Sequence, residues 1–334
     1  MDKKKINVKD FLINNGIIML LVIMVAYVSI TKDNFFSFNN MKGIALNCAP
    51  RFIIAFGVSG CLITRGTDLS AGRCVGLSAC IAGTLLQDPN FAGRFWPNLP
   101  DLPVILVLLI CVAVCCIFGL INGMVISFLS VPAFIGTLGM QLIVYGVVQV
   151  YTKNVPLGGF RKDFVNVGTG ALFKTANFPG IPYLFIIAAI VGLIMWFVYN
   201  MTRHGKYMYA IGGNESAAEV SGVNVKKTKI IIYVTATALY ALAGFLLAAK
   251  TAGASTNMGQ GYELEAIAAC TIGGVSVNGG VGKISGVIVG VLVFELLKST
   301  LQFLGVDPNY QYILQGVVIV VAIALDIRKY IVKK

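Results

Sequence analysis

Residues 64–73 read Thr-Arg-Gly-Thr-Asp-Leu-Ser-Ala-Gly-Arg, and this polar stretch separates two apolar runs at 44–63 and 69–87. Each run is close to the ~20 residues that a membrane-spanning helix needs. Non-helical backbone is tolerated inside a membrane only where protein buries it or where it lines a water-filled cavity. The stretch therefore predicts a polytopic membrane protein whose helices are broken at membrane depth.

The composition of the whole chain points the same way. Of its 334 residues, 57% are hydrophobic and only 12% are charged, whereas soluble domains carry about 25% charged residues. A net charge of +12 on a soluble protein would indicate nucleic acid. Here the basic residues lie at the chain ends and in loops, so we expect them to anchor a protein in the lipid membrane, with no nucleic-acid partner.

Ten apolar segments predict an all-α protein with about ten transmembrane helices, forming a single transmembrane domain over residues 1–334. The predicted spans are 14–30, 44–63, 69–87, 102–127, 131–151, 181–201, 229–250, 263–281, 284–304 and 310–327. The first is expected to be an uncleaved helix, because no small-residue cleavage site follows the basic segment Met1–Asp10.

The distribution of Lys and Arg sets the expected orientation. If both termini are cytoplasmic, the inner segments carry 15 Lys and Arg and the outer loops carry 7. The positive-inside rule therefore predicts cytoplasmic N- and C-termini. Residues 152–180 are rich in Gly and Pro and predict an extracytoplasmic loop rather than a helix.

Two parts of the chain, 44–151 and 229–327, share a pattern that predicts inverted repeats. Each has an early polar break (64–73 and 251–262), and paired breaks of this kind indicate a transport site. Each part also has a later G-x-x-x-G, at Gly119/Gly123 and Gly286/Gly290. Such small-residue spacing lets helix backbones pack closely in lipid.

Charged residues within the predicted spans cost about 2.5–3.5 kcal/mol each and need partners, water or a helix end. Asp68 is interpreted either as a cap for the next helix or as part of a transport path. Glu263 and Glu265 cannot share a helix face, and Glu295 and Lys298 are expected to pair at i,i+3. The predicted translocation path comprises Asp68, Ser70, Glu263 and Glu265.

A short helix is predicted between membrane spans, in the basic loop 202–228. Asn214 is a good N-cap residue, Glu215 suits a first turn and Gly222 suits the C′ position. The helix between them is far too short to span a membrane. It is either a connector or a docking surface for a cytoplasmic partner.

Several functional classes are disfavoured by what the sequence lacks. It has no G-x-x-x-x-G-K-[ST] phosphate-binding loop, so transport would be driven by an ion gradient or by a separate ATPase. The eight cysteines form no C-x-x-C pair and are expected to be buried small hydrophobes. With His204 as the single histidine, we expect no metal site, no catalytic residues and no enzymatic activity of the chain's own.

Several motifs resemble the permeases of bacterial monosaccharide ABC importers, over most of the chain from about residue 14 onward. They are TRGTDLSAGR (64–73), FGLINGMVISFL (118–129), PAFIGTLGM (132–140), the stretch 210–225 and GYELEAIAACTIGGVSVNGGVGKISG (261–286). The resemblance implies a permease of the bacterial cytoplasmic membrane that imports a monosaccharide such as galactose, methylgalactoside or glucose. Its partners would be a second permease copy, a cytoplasmic ATPase and an extracytoplasmic sugar-binding protein.

The resemblance also assigns the short helix the role of a coupling helix that seats in a cleft of the ATPase. Its residues would be Asn214, Glu215, Ala217, Ala218, Glu219 and Gly222. The chain itself would bind no cofactor, and ATP and Mg²⁺ would bind the ATPase. The alternatives are a permease of the same architecture for ribose, nucleosides or another small solute, and a gradient-driven secondary transporter.

Overall fold

The computed structural model describes residues 8–175 and 178–331; the predictions that rest on residues 1–7, 176–177 and 332–334 lie outside the described residues. Thirteen helices make up most of the described chain, with one two-stranded antiparallel hairpin. In chain order the elements are α1 (Val8–Thr31), α2 (Phe38–Ile63), α3 (Ala71–Leu85), α4 (Val104–Phe128), α5 (Ala133–Thr152), α6 (Lys162–Thr169), β1 (Ala171–Leu172), β2 (Ile181–Pro182), α7 (Tyr183–Met201), α8 (Arg203–Gly213), α9 (Glu215–Val220), α10 (Val225–Thr251), α11 (Tyr262–Ile272), α12 (Ile284–Phe303) and α13 (Pro308–Ile331).

Two long helices, α2 and α10, form the centre of the bundle. The most apolar window of α2 is 83% buried, whereas those of α4 and α5 are only 22% buried. The outer helices accordingly expose large apolar side chains such as Leu109, Leu142 and Leu193. Apolar surfaces of this kind promote aggregation in water, but they are expected where helices face lipid.

The described helices confirm a polytopic membrane protein and correct some of the predicted spans. Six of them (α2, α4, α5, α7, α10 and α12) are long and apolar enough to cross a membrane, and shorter apolar stretches occur at Met19–Thr31, Ala71–Leu85 and Pro308–Ala324. The predicted span 263–281 is helical only in its first part, because α11 ends at Ile272. Its 11 residues cover only about 16 Å, and glycine-rich backbone follows.

Glycine pairs bring the helices into close contact, as their spacing predicts. A side chain on Gly119 would collide with Thr237 of α10, and one on Gly123 would meet the Ile230 backbone. On the other side of the bundle, side chains on Gly286 and Gly290 would collide with the carbonyl groups of α11 and its C-terminal end. The small residues therefore serve internal packing between helices.

The connections gather at two opposite ends of the bundle. At one end, the Gly280 amide donates to the Ile63 carbonyl at 2.8 Å, and Tyr209 of α8 donates to the Gly282 carbonyl at 2.9 Å. This end also carries α9. At the other end, residues 86–103 meet 154–161 through the bridge Gln87–Phe160, and Leu157 pairs with Ala254. The polar segments after α2 and α10 thus begin at opposite ends.

The 152–180 segment is not helix-free, which corrects the sequence-based expectation. Between its turns lies the eight-residue helix α6, which buries Phe164 and packs on α10. Arg161 precedes it and donates to both carboxylate oxygens of Asp163, at 3.1 and 2.6 Å. This hydrogen bonding lowers the pKa of the Asp163 carboxyl and raises that of the Arg161 guanidinium. One of the basic residues of this loop is therefore locally neutralised.

Candidate functional site

The short helix α9 begins and ends where the sequence predicts. The Asn214 side chain accepts a hydrogen bond from the Ala217 amide at 3.0 Å, which caps the first turn. Gly222 has φ +86°, and the next amide, of Val223, donates back to the Ala218 carbonyl at 3.0 Å. The left-handed conformation of Gly222 therefore ends α9, which is a helix of six residues.

The two faces of α9 differ, and one predicted contact residue faces inward. Ala218 is only 4% exposed and packs in a small cluster with Ile211, Val223 and Val225. Val220, by contrast, is 90% exposed. The small side chain at Ala218 therefore serves the chain's own packing, and the apolar group that α9 presents outward is Val220.

A cavity of about 430 Å³ lies beside α9. Its walls come from the break after α2, the α4–α5 connection, α9 and the start of α10. The lining residues are Thr64, Arg65, Gly66, Ile126, Ser127, Ser130, Val131, Pro132, Ala133, Glu215, Glu219, Val225, Lys226, Lys229 and Tyr233. Within it, Glu215 pairs with Lys229 at 2.7 Å. The cavity places α9 next to the first broken helix.

The first break is held by hydrogen bonds from neighbouring elements. Arg65 has φ +61°, and its side chain donates to the carbonyls of Gly212 and Gly213 at 2.9 and 2.7 Å. Thr137 of α5 donates to the Thr67 carbonyl at 3.0 Å and is within 3.1 Å of the Leu69 amide. The irregular backbone therefore has protein partners, as a broken membrane helix requires.

Asp68 and Ser70 are fully buried at the start of α3. One oxygen of the Asp68 carboxyl accepts from the Ser70 amide at 3.0 Å and from the Ser70 hydroxyl at 2.6 Å. Asn122 of α4 donates to the same hydroxyl at 3.1 Å. Asp68, two residues before the N-cap position Ser70, thus satisfies the backbone N–H of Ser70 at the start of α3.

A charge cluster joins α2, α11 and α12 and replaces one predicted pair. Arg51 donates to Glu265 at 3.2 Å and lies 3.1 Å from a carboxylate oxygen of Glu295, an ion pair without hydrogen-bond geometry. Lys298 contacts the other Glu265 oxygen at 2.6 Å. The expected Glu295–Lys298 pair is therefore wrong, because each residue has a partner on a different helix.

Glu263 and Glu265 face different surroundings, as their spacing predicts. Glu265 belongs to the charge cluster, whereas Glu263 is buried against the first turn of α3, where a side chain on Gly72 would collide with its carboxylate. Arg73 interacts electrostatically with Glu263. The four predicted path residues thus divide into Asp68 and Ser70 at α3, and Glu263 and Glu265 at α11.

Sequence reasoning missed Arg51 and Arg73 as site residues. A signal was present, since of all Lys and Arg only Arg51, Arg73, Lys250 and Lys298 fall outside the predicted loops and termini. A basic residue retained inside a membrane span needs a specific partner. Here Lys250 donates to Asn47 of α2, one turn from Arg51.

All eight cysteines are free, and seven are buried, in line with their expected role as small hydrophobes.

Comparison with known proteins identifies the family of the chain. A profile of the family described as "Branched-chain amino acid transport system / permease component" matches residues 40–323. The chain belongs to this permease family. It is 42% identical over 328 residues to the galactose/methyl galactoside import permease protein MglC of Haemophilus influenzae, covering 97% of each chain. The Escherichia coli K12 protein of the same name is also 42% identical, with 98% and 99% covered.

A more distant relative carries a different substrate name. The ribose import permease protein RbsC of Escherichia coli K12 is 34% identical over 322 residues, with 96% of each chain covered. No solved structure matches the chain. Membership of a permease family agrees with six membrane-length helices among the described residues, so the chain is a multi-pass membrane transport component.

Proposed function

We propose that this chain is the membrane-spanning permease of an ATP-binding-cassette importer, and that it translocates a monosaccharide, either galactose, methylgalactoside or glucose. The observation that carries the proposal is the near full-length identity of 42% to galactose/methyl galactoside import permeases, against 34% to a ribose import permease. An extracytoplasmic binding protein would deliver the sugar. ATP and Mg²⁺ would bind a separate cytoplasmic ATPase.

The contacts between elements support an arrangement in two inverted repeats, 44–151 and 229–327. In this arrangement α2, α3, α4 and α5 correspond to α10, α11, α12 and α13. Each long first helix packs against the second and third helices of the other half: α10 against α3 and α4, and α2 against α11 and α12. Likewise α5 packs on α3, and α13 packs on α11. The breaks 64–70 and 252–261 begin at opposite ends, which is what inversion of one repeat requires.

The same geometry supports a route for coupling to the ATPase. The exposed side of α9, including Glu215, Ala217, Glu219 and Val220, would dock on the ATPase in the cytoplasm. Movement of α9 would reach the first break through Arg65, whose guanidinium bonds the end of α8 directly before Asn214. Asn214 and Gly222 would keep α9 short and rigid. A displacement of α9 by the ATPase would therefore be passed on to the end of α8 and to Arg65.

In this mechanism the carboxylates hold the broken segments that border the path. Asp68 and Ser70 would fix the start of α3, and Glu263 and Glu265 would fix the start of α11. Asp68→Asn and Glu263→Gln are therefore expected to reduce uptake while leaving membrane insertion intact. A second copy of the chain would complete the path as a homodimer, with all termini cytoplasmic.

The decisive experiment is reconstitution of the permease in liposomes with its ATPase and binding protein. Uptake of radiolabelled galactose that requires ATP, requires the binding protein and persists with ionophores is the expected result. Uptake of ribose or a nucleoside instead, through a binding protein specific for that solute, would support the alternative that the 34% ribose relative represents. Uptake without ATP that collapses with an ionophore would overturn the ATP-driven proposal in favour of a secondary transporter.

A further inference from the structure

The side chain of Arg73 is embedded at membrane depth, outside the charge cluster that holds Arg51 and Lys298. It donates to the Thr256 carbonyl at 3.3 Å, and its guanidinium lies 4.0 Å from the centre of the Tyr145 ring. Among the described residues, no carboxylate lies within ion-pair distance of it. Arg51 and Lys298, by contrast, both contact carboxylates directly.

The depth of Arg73 follows from the segment that runs beside α3. This segment, 252–261, passes from Ala254, beside Gly83 near one end of α3, to Met258 beside Gly76 and Gly259 beside Gly72. Ten helical residues separate Gly83 from Arg73, which amounts to about 15 Å. That distance is about half the thickness of the hydrocarbon core of a membrane.

At this depth the surface around Arg73 is polar, and it is not covered by other parts of the chain. Asn257 and Gln260 are exposed, and Arg73 and Tyr145 are half-buried. The Tyr145 hydroxyl donates to the Asn257 side-chain oxygen at 3.3 Å. Irregular backbone with a cation and amides cannot face lipid. This surface, the Arg73 face, must therefore border water or another protein surface.

We infer that the Arg73 face, formed by Arg73, Tyr145, Asn257 and Gln260, lines the translocation path and binds the passing monosaccharide directly. This inference rests on the proposed function. The guanidinium and the two amides offer hydrogen-bond donors, and the amide oxygens offer acceptors. Sugar hydroxyls require both, while the apolar C–H face of a pyranose packs on an aromatic ring such as that of Tyr145.

The position of the Arg73 face also connects the passing sugar to both breaks. Arg73 is in the first turn of α3, which follows the break 64–70, and it interacts electrostatically with Glu263 at the start of α11. Thr256 and Asn257 belong to the second break. A small shift of either short helix would therefore separate Arg73 from Tyr145 or from Thr256. The geometry allows the face to form and disperse during a transport cycle.

The test measures sugar transported per ATP hydrolysed in the reconstituted complex. Tyr145→Ala and Asn257→Ala are expected to lower galactose uptake about ten-fold, because each removes sugar contacts worth roughly one order of magnitude. Stimulation of ATP hydrolysis by the loaded binding protein should persist. Tyr145→Phe, which keeps the ring, should retain most of the uptake. Leu142→Ala, on an exposed apolar position of the same helix, is the matched control and should transport normally.

A second measurement tests whether the face is wet. Asn257→Cys should react with a water-soluble thiol reagent in the assembled complex, and galactose with the binding protein and ATP should slow the reaction. An unreactive cysteine that instead forms a disulfide between two copies would overturn the inference in favour of a dry dimer contact. Normal uptake by both alanine variants would also overturn it. If the wild-type complex imports no monosaccharide, the proposed function itself fails, so the two failures are distinguishable.

Discussion

Arg51 lies midway along α2 and is the residue on which the charge cluster depends. It contacts Glu265 of α11 at 3.2 Å and Glu295 of α12 at 3.1 Å, and the side chains of all three are less than a quarter exposed. Tyr262 adds a ring 5.1 Å from the guanidinium carbon. The Arg51 guanidinium thus connects α2 to both α11 and α12. Removing one partner from a buried ion pair leaves an uncompensated charge, which is the costly case.

Arg51→Met is therefore expected to destabilise the protein by about 3–5 kcal/mol. The measurement is the apparent melting temperature of the purified permease in detergent, which should fall by several degrees. Arg51→Met combined with Glu295→Gln should recover part of the loss, because the unpaired carboxylate is also removed. Lys162→Met, at an exposed position of α6, controls for loss of a positive charge. An unchanged melting temperature for Arg51→Met would show that the cluster contributes no stability.

The charge cluster also marks the limit of sequence reasoning at this scale. The i,i+3 spacing of Glu295 and Lys298 correctly indicates one helix face, yet each residue forms an ion pair with a residue of another helix. Sequence separation cannot reveal Glu265, which is 33 positions from Lys298. The caps of α9 were predictable because Asn214 and Gly222 act on backbone within a few residues of themselves. Local chemistry is readable from the sequence, and partner choice across helices is not.

At the scale of elements, close contact between α11 and α12 depends on glycine. A Cβ built on Gly290 would collide with the Ala269 carbonyl group and lie 3.0 Å from the Gly273 amide. The predicted span 263–281 extends past the end of α11 at Ile272, because the valines and isoleucine interspersed among five glycines keep residues 273–284 apolar on average. The hydropathy of a segment reports its burial, while its glycines decide whether it is helical.

Gly290→Ala is expected to lower the apparent melting temperature and reduce uptake, because backbone of α11 must move to admit one methyl group. Gly146→Ala in α5 is the matched control, since a Cβ there would have no neighbour within 4 Å. That substitution should be neutral or stabilising, as alanine favours a helix over glycine by about 1 kcal/mol. Equal behaviour of the two variants would contradict the packing described here.

The second element with a specific prediction is α9, and the structure changes which residue tests it. Bulk at Ala218 would disrupt the cluster with Ile211 and Val225, so failure of Ala218→Trp would not distinguish folding from docking. Val220→Asp is the sharper change, because the side chain is 90% exposed. It is expected to lower sugar-stimulated ATP hydrolysis about ten-fold, as for an apolar anchor in an interface.

The melting temperature of Val220→Asp should match that of the wild type, since the side chain contacts little of its own chain. Ser216→Ala, at another exposed position of α9, is the control and should couple normally. A cysteine at Ser216 should also cross-link to the ATPase. Normal ATP hydrolysis with Val220→Asp, together with no cross-link, would rule out the assigned role of α9.

At the scale of the whole molecule, the two ends of the bundle have distinct characters. The end with α8, α9 and the 273–283 segment carries the cavity. The opposite end carries α6, the hairpin and residues 86–103, with Arg161 held by Asp163. The Lys and Arg counts predict which end is cytoplasmic, whereas the packing of α10 on α3 and α4, and of α2 on α11 and α12, could be seen only in the fold.

The orientation of the molecule can be tested with one cysteine at each end. Asn98 and Ser216 are both exposed, on opposite ends of the bundle. An impermeant thiol reagent on intact cells should label Asn98→Cys and leave Ser216→Cys unlabelled, because the positive-inside rule places α9 in the cytoplasm. The native chain supplies the baseline, since seven of its eight cysteines are buried and Cys116 is half-buried within α4. Permeabilised cells should show labelling of both variants. The reverse pattern in intact cells would invert the molecule and place α9 where no cytoplasmic ATPase could reach it.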